Sequence, residues 1–181
     1  MDRRRLLRAL VAPILSAVAF GAAARLDPSL VKAASSGPLP AEEAREVLLT
    51  LARFQQVYED FFARGGSPEL LNEFPASKEL RHQVFRDVGF LRDAGLLQVQ
   101  DLARAVLMET RWAGRDLAEA VVYEEWNYVF QTLADRKPQS ELKGTGQGIR
   151  YRLQRGVTGW RVVAWDPVEV VPPETSEPNA W

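Results

Sequence analysis

Residues 157–171, VTGWRVVAWDPVEVV, decide the fold. Gly159 closes a tight turn, and the residues after it are β-branched and aromatic, the composition of a strand. Strict alternation puts Trp160, Val162 and Ala164 on one face and Val163 and Trp165 on the other. Both sets are apolar, so neither face reads as the wet side of a sheet. Burying a tryptophan hides ~150–250 Å², worth ~4–6 kcal/mol at about 25 cal/mol per Å². A strand like this demands cover on both sides.

Working back from it, Gly148–Arg155 alternates Ile149, Tyr151 and Leu153 against Arg150, Arg152 and Gln154. Residues 117–132, LAEAVVYEEWNYVFQT, form the most strongly β-branched and aromatic run. Residues 113–116 (AGRD) read as a turn, and 135–147 as a long hairpin connection. Residues 97–112 read as a further strand, although Ala and Leu at 101–107 favour helix equally.

The part before 97 has helical spacing. After Pro40, Ala44, Val47, Leu48, Leu51, Phe54, Tyr58, Phe61 and Phe62 recur every three or four residues. Glu42 and Glu43 suit the positive end of the helix dipole, and Gly65-Gly66 ends it. Ser67-Pro68-Glu69 opens a short second helix. Ser77 opens a third, whose inward seam is Leu80, Val84, Val88 and Leu91, with Gly95 after its last turn. His82 lies off that seam.

Three helices followed by a four-stranded antiparallel meander is an α+β pattern. This order, closing on the Gly-Trp-Arg-Val strand of "GWRVVAWDPVEV", resembles the nuclear-transport-factor-2-like superfamily, also called cystatin-like. The resemblance covers about 40–171. It implies a cone: three N-terminal helices fill the concave side of a curved four-stranded sheet, and the convex side contacts a partner or a second copy. It implies no particular reaction, because that fold hosts isomerases, dehydratases, hydrolases, secretion-system subunits and scaffolds. On this reading one face of the last strand meets the helices. The other meets a second molecule, is shielded by the linker and tail, or is buried by strand twist within one subunit.

The 181 residues carry a net charge of −1, no cysteine and one histidine. Disulfides, Cys-ligated metals, thiol catalysis and a multi-His metal site are excluded, and no cofactor is expected. No basic field recruits nucleic acid. The start, MDRRRLLRALVAPILSAVAFGAAA, has a basic segment, a 16-residue uncharged run from Ala9 to Ala24, and an A-x-A site at Ala22–Ala24. That is the layout of a secretory signal. The alternatives are a retained anchor over residues 6–24 and a plain helix. The run is short for a span of about 20 residues, and Pro13 interrupts it. Asp2–Arg8 also resembles a twin-arginine export signal, with Asp2 and Leu6 departing from its pattern. The expected organisation is a signal or anchor at 1–24, a linker at 25–39, an α+β domain at 40–171 and a disordered tail at 172–181. The expected location is the periplasm, a thylakoid lumen or another extracytoplasmic space, tethered to the membrane if the signal is kept.

Candidate site residues fall on the sheet. Glu124 alternates with Val122, Trp126, Tyr128 and Phe130, a carboxylate among large apolar residues. Inside the cone it would be desolvated and suited to acid–base work. At the mouth it would be wet, or paired with Arg104 or Arg111. Trp126, Tyr128, Phe130 and Tyr58 would line a pocket for a small apolar ligand. Arg150, Arg152, Arg161 and Trp165 would form a partner-binding face. The arginines would otherwise pair with Glu109 and Glu125 across strands. Gly144-Thr145-Gly146-Gln147-Gly148 lacks the helix and Gly-Lys-Ser/Thr of a phosphate loop and reads as hairpin. The expected working mode is protein binding or assembly through the sheet face. A ligand pocket or a Glu124-dependent enzyme is the alternative.

Overall fold

The structure, a computed structural model, describes residues 37–174. The signal or anchor expected at 1–24, the linker up to 36 and the tail from 175 lie outside the described residues. Among the described residues, three helices precede four strands: α1 (Ala41–Ala63), α2 (Pro68–Leu71) and α3 (Lys78–Asp93), then β1 (Leu96–Gly114), β2 (Leu117–Thr132), β3 (Lys143–Gly156) and β4 (Gly159–Val168). The strands form one antiparallel sheet in the order β1-β2-β3-β4. The fold is the expected α+β class, with helices on one face of a curved, open sheet. No helix among the described residues is long and apolar enough to cross a membrane.

The helices form where the spacing places them. α1 buries Val47, Leu51, Phe54, Tyr58, Phe61 and Phe62, and also Gln55 and Val57. Gly65 and Gly66 have φ of 64° and 83°, the left-handed conformation that ends a helix at low cost. A Cβ at Gly65 would lie 2.8 Å from Leu97 Cδ2, so the turn is tight against β1 as well. Ser77 caps α3 by accepting from the Leu80 amide, and Leu80, Val84, Val88 and Leu91 are its buried seam.

β1 is a strand throughout, so the helical reading of 101–107 is overruled. Pairing with β2 saturates its backbone, and local propensity loses to the sheet. Extra residues interrupt its register between Leu102 and Arg104, Leu107 and Glu109, and Trp112 and Gly114. Each bulge bends the strand and raises its twist. Repeated along β1, they curl the sheet around α1.

The question set by the last strand has a local answer. Arg152 pairs with Ala164 and Leu153 with Val162, so Val163 is an extra residue in β4. The bulge reverses the alternation beyond it. Trp160 and Val162 face the helices before it, and Trp165 faces them after it. The Trp165 ring lies 6.0 Å from Phe54, 5.3 Å from Tyr58 and 6.3 Å from Tyr151. The expectation that Trp165 shares the outer face with the arginines is therefore corrected: strict alternation fails at one residue.

Both edges of the sheet are covered in part. Pro38 bridges to Arg111 and the Trp112 amide donates to the Gly37 carbonyl, extending past β1. At β4, Val162 exchanges hydrogen bonds with Pro75 and Ser77. Such caps remove backbone groups that would otherwise template another chain.

Candidate functional site

On the helix-facing side of β2, Val122, Glu124, Trp126 and Phe130 are buried and Tyr128 is half-buried. Glu124 is 1% exposed. It lies neither at a wet mouth nor beside a base: Arg104 pairs with Glu125, and Arg111 with Glu119 and Glu109. Glu124 Oε1 accepts from Gln55 Nε2 and from the Tyr151 hydroxyl, both at 2.6 Å. Oε2 accepts from Trp126 Nε1 at 2.7 Å. Burial pushes the carboxyl above its ordinary value, and the three donors pull it part of the way back. Burial and the nearby Glu124 carboxylate raise the Tyr151 phenol well above its usual value.

The four residues expected to line a pocket belong to one core and pack as two aromatic pairs. Tyr58 meets the Trp126 ring edge-on at 6.1 Å and Phe62 at 4.6 Å, and Tyr128 meets Phe130 at 5.9 Å. Phe54, Tyr151 and Trp165 close the same cluster. Around Glu124 the cone is packed with aromatic rings.

The outer face carries Arg150, Arg152 and Arg161, as the alternation predicted. Their partners differ from Glu109 and Glu125. Arg152 bridges Glu119 on β2 and Asp166 on β4, each at 3.3 Å. Glu119 also takes Arg111 of β1 at 2.7 Å, so an alternating ladder of charges crosses all four strands. Arg161 donates to Gln154 at 2.8 Å and is exposed. Arg150 Nε is buried and has no partner among the described residues.

The glycine-rich stretch 144–148 is not a hairpin. It is the first half of β3, paired with Tyr123–Asn127, and the connection shrinks to 133–142. The glycines serve close packing. A Cβ on Gly146 would collide with the Tyr123 hydroxyl, and one on Gly148 would lie 2.6 Å from the Val168 carbonyl and from Val170.

Sequence reasoning missed Gln55 and Tyr151 as partners of Glu124. A signal existed for each. Gln55 is a polar residue on the apolar face of α1, and Tyr151 alternates with Ile149 and Leu153. No sequence pattern linked either to a residue 69 or 27 positions away.

No protein-family model and no curated protein sequence matches the chain. Among solved structures, the intermembrane-space region of the chloroplast protein ARC6 superposes with a TM-score of 0.60 at 14% identity. The match covers 72% of this chain and all of that one. The chain shares that fold. A putative dehydratase of the NTF2-like family from Streptomyces avermitilis gives a TM-score of 0.42 at 16% identity, covering 72% of this chain and 100% of that chain. An NTF2-like protein with a cystatin-like fold from Novosphingobium aromaticivorans gives 0.42 at 14%, covering 74% and 85%. At these identities the likeness concerns the fold alone.

Proposed function

We propose that this protein is an extracytoplasmic, non-catalytic binding module that assembles with a protein partner, or with a second copy, through the outer face of its sheet. The supporting observation is the contrast between the two faces. Inside, aromatic rings pack against each other and both Glu124 oxygens are occupied by protein donors. Outside, Arg161 is exposed and Arg150 holds a buried donor without a partner among the described residues.

Location follows from the sequence of residues 1–24, which reads as a secretory signal or anchor. The ARC6 region is described as lying in an intermembrane space, which agrees with a module working outside the cytoplasm.

The test is the native mass of the protein isolated from its host, for wild type, Arg161→Glu and Glu124→Gln. Assembly should be lost in Arg161→Glu, whose side chain bonds only Gln154 among the described residues, and kept in Glu124→Gln. A monomeric wild type, or an intact assembly in Arg161→Glu, overturns the reading.

A further inference from the structure

Beyond β4, residues 169–174 (EVVPPE) do not leave the domain. They cross the outer face of the sheet as a strap. Val170 sits over β3, its two methyl carbons 2.6 and 2.7 Å from where a Gly148 Cβ would be. The far end reaches β1. There Arg104 Nη1 donates to the Pro173 carbonyl at 3.5 Å, and Nη2 to the Glu174 carbonyl at 3.2 Å. A cavity of about 370 Å³ opens between strap and sheet, lined by Tyr123, Gly146, Gly148, Val168, Val170 and Pro172 among others.

The seat is built for an extended chain. Two glycines of β3 clear the space, and Tyr123 walls it. Arg104 offers two donors to main-chain carbonyls, which any sequence supplies. Pro172 and Pro173 have no N–H and favour an extended conformation with low ordering cost. The hold is light. Val171 is 83% exposed, Glu169 and Glu174 are exposed, and among the described residues the only polar side-chain anchors are the two Arg104 bonds.

We infer that this groove is a peptide-binding site, and that the chain's own strap occupies it in cis. The partner it fits is an extended segment with a β-branched residue for the Gly148 seat and prolines after it, presenting carbonyls to Arg104. This deepens the reading of the outer face as the working surface and rests on it. A tethered strap competes at an effective concentration in the millimolar range, so an incoming segment binds only where it outcompetes or finds the strap displaced.

The probe is a labelled peptide of residues 167–174, PVEVVPPE, read by fluorescence anisotropy against full-length protein. Val170→Asp unseats the strap, and the peptide should bind this variant at least about tenfold more tightly than wild type. Adding Arg104→Ala, or separately Gly148→Ala, should abolish that gain. The first removes the carbonyl donors and the second fills the seat. Equal binding to wild type and Val170→Asp, or binding indifferent to both added changes, overturns the inference. The native-mass test keeps the two readings apart. If the peptide fails while Arg161→Glu still dissolves the assembly, the groove falls and the face stands. If Arg161→Glu leaves the assembly intact, the face reading falls whatever the peptide does.

Discussion

Glu124 shows how far one buried residue depends on its neighbours. An ionised carboxylate in an apolar core survives only when donors replace its lost water. Gln55, Trp126 and Tyr151 do so. Because burial still leaves its pKa raised, the folded state holds the proton more tightly than the unfolded chain. The contribution of Glu124 to stability is therefore greatest in acid and falls as pH rises from the ordinary Glu value through the folded one. Tyr151→Phe removes one donor and should cost about 1.5–3 kcal/mol wherever the carboxyl is ionised, the range for a hydrogen bond to a charged group. The cost should shrink in acid, where the carboxyl is protonated. Urea midpoints of both proteins across pH test this, and parallel curves would place the hydroxyl's role elsewhere. Asp87 on α3 obeys the same sign. Burial lifts its carboxyl to about 6, with Arg86 opposing. Stability is lost as pH climbs from about 4 through about 6. Asp87→Asn should melt higher than wild type at pH 8 and match it in acid. A melting difference that does not change with pH would contradict the shift. Glu124 was visible in the sequence as a misplaced carboxylate. Two of its donors were not, because Gln55 and Tyr151 come from other elements and meet it only through tertiary packing.

Among the elements, β4 carries the largest difference between pattern and structure. Alternation reads a strand correctly only while its register is unbroken. The extra residue at Val163 moves Trp165 from the outer face into contact with Phe54 and Tyr58. Nothing in GWRVVAWDPV announces the bulge except its consequence, two apolar faces. The same limit hid the three bulges of β1 and the strand nature of Gly144–Gly148. Glycines usually signal a turn, and here they make room for Tyr123 and Val170. The helices were legible because their stripes and caps are local. Trp165 is half-buried against the core, so Trp165→Ala should cost about 2–3 kcal/mol, less than the ~3–5 of a fully buried tryptophan. Chemical denaturation measures it. A variant as stable as wild type would return Trp165 to the surface.

For the whole molecule, the outer face combines two kinds of arginine, and the difference matters for testing any assembly. Arg152 is the centre of the ladder Arg111–Glu119–Arg152–Asp166. Arg161 stands apart, bonded among the described residues only to the Gln154 amide oxygen. A charge reversal at Arg152 would set a third carboxylate between Glu119 and Asp166, replacing two attractions by two repulsions. Exposed ion pairs are worth little singly, about 0–1 kcal/mol, but Glu119 is only 14% exposed in its side chain and Asp166 22%. Arg152→Glu should lower the melting temperature and any native assembly together. Arg161→Glu should lower assembly alone. Melting curves in low and high salt separate the effects, since salt screens the repulsion in Arg152→Glu and restores part of its stability. If Arg161→Glu lost as much stability as Arg152→Glu, the two arginines would belong to one structural network. The outer face would then be cross-strand reinforcement of the sheet, with no surface kept for a partner.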